Sequence, residues 1–439
     1  NGQSLGVFGL FGKSSNTFDR PTDSTAWDSD KYQYSDIDFE SQMSTVGFRY
    51  LRPHRNKGKL EVKALWSALS SVRTARPLDF VQDDFDDLRQ RKLSAQVNYQ
   101  RKLLPFGNLM LGVELLGIDQ SLLVEEAITG GPFFSPLDNQ QTVVSPFIDW
   151  RYRIKKLFFQ LGFRQSFWTT DSYAEPRLRV RYALGKQQAI SLEYHQTTQA
   201  ASIYSATERP RQMAQVSLNW EYQWTATRQV NLQLFRQRNE VPGSGAGSEI
   251  NQLNQPTRLP ERTTTGHTLG LAANVQQFTT NGWWYVLSGS LFDATYETPA
   301  GDLPTRFAQD FTSALSVGKE WLGENRKSQA TRFGVNAALR YNGGLRQAPI
   351  LLEASRAAQR TIFDFERGFT ERLPNYFRTD FRLYFQRNRA GWNSLLALDI
   401  QNVTNQQNAA YRYYDRLLDT ITTRYQLELI PVLSYKIEF

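Results

Sequence analysis

The feature that most constrains this chain is strict two-residue alternation of apolar and polar side chains, sustained over segments too long for the strands of an ordinary soluble sheet. Val216, Leu218, Trp220, Tyr222 and Trp224 alternate with Gln215, Ser217, Asn219, Glu221 and Gln223. Leu178, Val180, Tyr182 and Leu184 alternate with Arg177, Arg179 and Arg181. Successive side chains of a strand point to opposite faces, so each segment presents one apolar and one polar face. Three consecutive arginines on one face fit a wide, wet lumen better than the outside of a sandwich.

Composition supports the same architecture. Only 40% of the 439 residues are apolar, yet 10 Trp, 20 Tyr and 28 Phe bring the aromatics to 13%. A barrel in lipid needs apolar groups only on its outer face and aromatic girdles at both interfaces, and it keeps a polar interior. No run approaches the 18 or so apolar residues of a membrane helix. A closed barrel is the other structure that satisfies its backbone in lipid. The predicted fold is therefore all-β, a transmembrane antiparallel β-barrel integral to a bacterial outer membrane.

Connections alternate in length, as hairpins of such a barrel do, with short turns on the periplasmic side and long loops outside. Short turns are predicted at 53–58, 104–108, 155–156, 185–188, 225–228, 280–282, 322–328 and 388–391. Long polar segments fall at 13–40, 71–86, 124–140, 239–262, 342–376 and 405–423. Counting this way gives about 18 strands, beginning with an ascending strand at 3–13. At the other end Tyr425, Leu427, Leu429, Pro431, Leu433, Tyr435, Ile437 and Phe439 are predicted to face lipid, with Gln426, Glu428, Ser434, Lys436 and Glu438 opposite. No domain boundary or solenoid repeat interrupts residues 1–439, which read as one barrel portion.

Candidate chemistry is sparse. With no cysteine, disulfides, thiolate metal sites and cysteine nucleophiles are excluded. The three histidines fall apart: His54 in a periplasmic turn, His195 on an inward face beside Glu193, and His267 near an extracellular rim. The strands carrying His195 and His267 are not neighbours, so no triad assembles. No catalytic residue, metal ligand or cofactor is assigned. Gly243-Ser244-Gly245-Ala246-Gly247-Ser248 resembles a phosphate loop but lacks the flanking strand and helix, and reads as a flexible loop. Asp83-Asp84-Phe85-Asp86-Asp87 suits Ca²⁺ by donor type, or else bridges divalent ions on lipopolysaccharide or stays solvated.

Two groups of residues are singled out. Arg177, Arg179 and Arg181, with Glu193 and His195, are lumen-facing candidates, where the arginines pair with acids or bind an anionic cargo. Tyr411, Arg412, Tyr413 and Tyr414 form an aromatic loop suited to stacking on cargo or to anchoring at the outer interface. The formal net charge of +8 suits nucleic acid, anionic lipid or anionic cargo, and is assigned to a positively biased lumen and rim with no nucleic-acid partner.

The C-terminal quarter adds a resemblance. Arg372-Leu373-Pro374-Asn375-Tyr376-Phe377-Arg378-Thr379-Asp380, Leu398-Asp399-Ile400-Gln401-Asn402-Val403-Thr404-Asn405 and Ile430 to Phe439 resemble the end of TonB-dependent outer-membrane receptors, especially the Bacteroidetes branch. Gly9 to Lys13 and Ser44 to Tyr50 are similar to interior strands of those barrels. The resemblance implies a barrel of about 22 strands with a globular plug. It also implies uptake of a scarce or bulky nutrient driven by TonB, and an assembly signal at Tyr435, Ile437 and Phe439 read by the barrel-assembly machinery. Lipopolysaccharide and a surface lipoprotein are further partners it suggests. The chain opens Asn1-Gly2-Gln3 and shows about four strands too few, with no plug or TonB box, so those parts are expected to precede it. The alternatives left open are a receptor-like structural subunit of a secretion or barrel-insertion complex, and a plugless porin.

Overall fold

The computed structural model describes residues 2–20, 22, 35–54, 58–77, 83–126, 133–200, 209–241, 264–324, 330–389 and 391–438. Strands β1 (Ser4–Phe18), β2 (Ser35–His54), β3 (Gly58–Pro77), β4 (Asp84–Leu103), β5 (Gly107–Glu126) and β6 (Phe133–Ile154) are long. Shorter staves follow: β7 (Leu157–Phe167), β8 (Ser172–Ala183), β9 (Gln188–Gln199), β10 (Arg211–Thr225), β11 (Arg228–Val241), β12 (Thr264–Thr280) and β13 (Trp283–Thr298). After the four-residue β14 (Gly301–Pro304) come β15 (Phe311–Glu324), β16 (Ala330–Asn342) and two short pieces, β17 (Arg346–Gln347) and β18 (Glu371–Arg372). The chain finishes with β19 (Tyr376–Asn388), β20 (Asn393–Gln401), the hairpin β21 (Ala409–Asp415) and β22 (Thr420–Tyr425), and β23 (Ile430–Glu438).

Nineteen of these strands form one antiparallel sheet, each stave paired with its neighbour in sequence. Leaving out the small β14, there are eighteen staves, matching the strand count predicted from alternation. The periplasmic turns also fall where predicted, for example Lys155-Lys156 between β6 and β7 and Ala226-Thr227 between β10 and β11. Among the described residues β1 pairs with β2 and β23 with β20, and the two outer edges do not pair with each other.

Register carries the apolar face from stave to stave. Val46 lies opposite Trp66 and Trp66 opposite Leu93. Leu192, Leu218, Leu234, Leu271 and Leu291 continue the band across five staves. All of these are exposed, which in water would be a liability and in hydrocarbon is the favourable arrangement. Near the periplasmic turns the band ends in aromatics. Trp150 stacks on Tyr152 at 5.4 Å and Trp220 on Tyr222 at 5.6 Å, as expected of an interfacial girdle.

Stave length is uneven. At about 3.3 Å per residue and a tilt near 45°, the 20 residues of β5 rise roughly 45–50 Å, against about 25 Å for the 11 of β7. The outer apolar band of such barrels is itself about 25 Å tall. The turn ends are level, so β2–β6 stand as a wall above the outer surface. Three predicted loops are correspondingly shorter than expected: β1 continues to Phe18, β3 to Pro77 and β5 to Glu126. Polar residues at these ends resemble loop because alternation loses its apolar half once a stave leaves the lipid.

The final strand is also shorter than its alternation. Tyr425 ends β22, and 426–429 form a link whose Gln426 and Leu429 N–H groups donate to the Asn408 carbonyl at 2.8 Å and the Asn405 side chain at 3.0 Å. Leu427 and Leu429 therefore precede the membrane strand, and Pro431, Leu433, Tyr435 and Ile437 carry its lipid face. Phe439 lies outside the described residues.

On the inner face, glycine admits the close approach of rings. A Cβ on Gly334 would fall 2.2 Å from the Tyr384 ring, and one on Gly112 would fall 2.5 Å from Phe147. Each ring lies across the neighbouring stave and covers backbone that would otherwise be bare.

The face assignment predicts asymmetric substitution. Leu218→Arg puts a charge at lipid depth and should cost roughly 2–4 kcal/mol, whereas Asn219→Arg, facing inward, should cost less than about 1 kcal/mol. Urea unfolding of the folded protein in lipid measures both, and equal losses would reject the assignment.

Candidate functional site: the lumen wall and the loop cap

Two regions carry the polar architecture, a charged ladder on the inner face and a folded cap of loops at the outer mouth.

The ladder runs over β5–β10. Arg177, Arg179 and Arg181 share one inward face with Glu175, as alternation requires, and His195 lies opposite Arg177 on β9. Arg179 pairs with Glu193 at 2.9 Å and with Glu221 at 3.1 Å, while Arg181 pairs with Glu221 at 2.9 Å. The arginines are thus neutralised by acids of the wall itself. Glu221, two staves away on β10, is the residue that joins them. Sequence reading did not single it out, since it meets them only after register is fixed.

A more buried network lies above. Glu175 is 1% exposed and accepts hydrogen bonds from the hydroxyls of Ser166 at 2.7 Å and Thr198 at 2.5 Å. Ser145 donates to Ser166 at 3.0 Å, and Arg164 pairs with Glu114 at 3.0 Å while lying 3.9 Å from Glu175. A carboxylate removed from water this far needs those donors, because an unpaired buried charge is strongly disfavoured. Against the ladder, a cavity of 830 Å³ is bounded by Arg179, Glu193 and Glu221 on one side and by Arg340 on the other, and runs past the amides and hydroxyl of Asn219, Gln229, Asn231, Asn274 and Ser288 between them.

The cap is built from 343–375 and 402–429. It holds helix α1 (Leu352–Ala358), a 3-10 turn at Phe365–Arg367, the β17–β18 pair and the β21–β22 hairpin. Its core comprises Ala348 and Phe369 packed against Tyr296, with Leu303, Phe363 and Phe365 around them. Tyr296 is on the inward parity of β13, so the loop folds over the lumen side of the rim. Gln347 bridges the two loops reciprocally: its Nε2 donates to the Arg412 carbonyl at 3.0 Å, and its Oε1 accepts from the Arg412 N–H at 2.9 Å.

This placement changes what the aromatic loop offers. Tyr413 and Tyr414 are buried in the cap, 8% and 3% exposed, and Tyr414 donates its hydroxyl to Asp419 at 2.9 Å. Half-buried Tyr411 and Arg412 remain, with Arg412 3.6 Å from Glu371. Stacking on cargo by the whole tetrad is thereby reduced to Tyr411, because hairpin β21–β22 turns the other two rings into the cap.

The segment 398–405 closes β20. Asn402 and Asn405 take left-handed conformations, φ 51° and 50°, which asparagine tolerates better than most residues. Asn402 donates its N–H to Asp380 at 2.9 Å, and Asp380 also accepts from Arg378 at 2.6 Å. Asn408 accepts from the Phe377 N–H and donates to its carbonyl, both at 2.8 Å, imitating one more rung of sheet.

The remaining candidates separate. His54 ends β2 at the periplasmic side, and His267, on the outward parity of β12, contacts Glu297 at 2.8 Å. The acidic run divides by alternation: Asp84 and Asp86 face inward, Asp87 outward, with Asp86 held by Arg73 and Asp87 by Arg89. They do not converge on one ion. Gly243 to Ser248 lies outside the described residues.

Solved structures share this architecture. The ferripyoverdine receptor FpvA of Pseudomonas aeruginosa aligns over 99% of this chain and 62% of its own, with 10% identity and a TM-score of 0.69. The ferric-catecholate import receptor Fiu of E. coli aligns over 99% and 72%, at 13% identity and TM-score 0.67. The ferric yersiniabactin uptake receptor FyuA of Yersinia pestis aligns over 92% and 62%, at 11% and 0.66. The fold is that of the TonB-dependent receptor barrels. No family model and no curated protein sequence matches. The chain spans about 62% of the length of the pyoverdine receptor. A barrel of this fold with a continuous apolar band is an integral outer-membrane protein.

Two measurements test these regions. Glu175→Ala should lose roughly 2–4 kcal/mol in urea unfolding, while Glu297→Ala at the exposed rim should lose less than about 1 kcal/mol. Where the cap meets the barrel rim, the Asp310 carboxyl, just before β15, is held below its ordinary value of 3.8 by hydrogen bonding to Arg372 and by the charge of Arg346. Asp419 is lowered by Arg356 and Tyr414. Their stabilisation is complete above the unfolded value and is lost as pH falls below it through the folded one. Amide exchange across 343–375 should therefore be flat from pH 5 to 8, once corrected for intrinsic rates, and should rise below about pH 4. A rise between pH 6 and 7 would assign control to other groups.

Proposed function

We propose that this chain is the wall of a TonB-dependent receptor that imports a scarce or bulky nutrient across the outer membrane, without chemistry on the cargo. The observation that carries the reading is the ordered loop cap folded over the lumen side of a receptor-type barrel. An open pore has no use for a mouth roofed by its own hydrophobic core. Ferric complexes are the cargo class we favour, since the neighbours are receptors for such complexes.

The free edges of β1 and β23 support a longer protein. Unpaired backbone groups in lipid cost several kcal/mol each, so those edges need partner strands. β1 ascends and β23 descends, so any strands closing the gap are even in number. A plug and a TonB-contacting segment complete the receptor in this reading, with 1–439 as its barrel portion. The Bacteroidetes branch is proposed on the residues of 372–380, 398–405 and 430–439. Lipopolysaccharide, the barrel-assembly machinery and a surface lipoprotein are the proposed envelope partners.

Uptake tests the proposal. Cells carrying the full-length gene should accumulate iron-55 from ferric siderophores under iron limitation, and accumulation should collapse in a strain lacking TonB. Unsaturable conductance of small solutes by the full-length protein in planar bilayers, with no TonB-linked uptake, would reject it in favour of an open pore.

A further inference from the structure

The net positive charge is not spread evenly. At the periplasmic mouth a cavity of 560 Å³ is lined by Arg153, Lys155, Lys156, Arg181 and Lys186, with Glu221 as its acid. Glu221 is already engaged by Arg179 and Arg181. Arg153, Lys155, Lys156 and Lys186 are exposed and have no acid partner among the described residues. Lys155 and Lys156 form the β6–β7 turn, and Lys186 lies in the β8–β9 turn beside it. Exposed Lys102, on the inward parity of β4, continues the same rim, again without an acid partner among the described residues, whereas Arg52 and Arg101 lie on the lipid-facing parity of β2 and β4 and are not part of the set. The acids near these turns, Glu61 and Asp149, are taken up by Arg49, Lys63 and Arg151.

Like charges gathered without counter-ions repel one another, and a multiply anionic partner relieves that repulsion. The side from which it arrives follows from parity. Arg153 and Arg181 share the inward face with Asp149 and Glu193, whereas outward Tyr152, Ile154, Tyr182 and Leu184 make the lipid girdle at that depth. Membrane headgroups meet the girdle, not the cavity. The cations also span adjacent turns and extend along the rim, farther than one small anion reaches.

The geometry points to a docking site on the periplasmic mouth for an acidic polypeptide segment, one that lays several carboxylates across the β6–β7 and β8–β9 turns. Lysines supply mobile point charges and Arg153 a planar fork, a set that suits side-chain carboxylates of varied spacing. Attraction of this kind speeds encounter and falls with salt. The inference needs only the orientation of the barrel and is independent of what the receptor imports.

The test uses the full-length protein in uncharged detergent micelles and a fluorescein-labelled deca-glutamate peptide, read by anisotropy. Saturable binding is expected at low salt and should vanish near 1 M salt, where screening acts within about 3 Å. Lys155→Glu with Lys186→Glu should weaken binding at least tenfold, and the milder Lys155→Gln with Lys186→Gln should weaken it measurably. Arg389→Glu, on a distant turn of the same rim, should leave it unchanged. Lys155, Lys186 and Arg389 are all exposed, and heat-modifiable gel migration verifies that each variant is folded. Absence of saturable binding, or equal binding by the reversed variant, would overturn the proposal. So would complete displacement of the peptide by millimolar inorganic phosphate, which would make this a small-anion site, or a preference for phosphatidylglycerol vesicles, which would make it a lipid contact.

Discussion

Everything in this structure follows from the absence of water around the backbone at membrane depth. A strand there has to exchange hydrogen bonds with two neighbours, and the staves from β2 to β20 do so in antiparallel register, with shifts near the turns at 223–225 and 277–280. Once the ladder is fixed, parity leaves each side chain one choice, lipid or lumen. The band from Val46 through Leu218 to Leu291 and the ladder from Arg177 to Glu221 are two consequences of the same pairing. Shifting one stave by a single residue would drive Arg179 into hydrocarbon and Leu178 into the lumen, so hydrophobic cost guards the register along its whole length.

The inner face carries a neutral stretch between charged ones, since ion pairs return beyond it as Arg332 with Glu320 and Arg382 with Asp399. Over β5–β10 arginine and glutamate cross-link staves two apart, as Arg181 does to Glu221, and this braces the wall against shear between neighbours. Over β11–β13 asparagine, glutamine, serine and glycine leave room along the wall and offer uncharged donors and acceptors. A passage lined in the second way lets a hydrated solute exchange partners without meeting a deep electrostatic trap. The Arg179–Glu193 and Arg181–Glu221 pairs, satisfied within the wall, add rigidity to it.

How far the sequence can be read depends on how local each determinant is. Strand number, the periplasmic turns and the inward direction of Arg177, Arg179 and Arg181 rest on alternation within one stave, which is local and survives folding. Glu175, Glu221, Asp380 and Asn408 act through contacts across one or more staves, and nothing near them in the chain marks them. The outer ends of β1, β3 and β5 were misread for a further reason. Above the lipid the outward face has no need of apolar residues, so the period-2 signal fades although the strand continues. Tyr413 and Tyr414 show the converse error. Aromatic residues in a polar loop suggest an exposed stacking surface, but a cap of this size needs a core of its own, and these rings help to supply it.

The tall β2–β6 wall and the cap belong to one design problem. A mouth wide enough for a bulky solute leaves long loops with little barrel surface to lean on, and loops without buried contacts do not hold a binding geometry. The cap meets this by packing Ala348 and Phe369 onto Tyr296 at the rim and by tying its two loops through Gln347 and Arg412. The wall extends the sheet itself, in which backbone pairing needs no core. Order at the mouth is thus obtained by hydrophobic burial on one side of the barrel and by continued strand pairing on the other. The proposed receptor function requires that order on both sides, which is why these features bear on it more than any single side chain in the lumen.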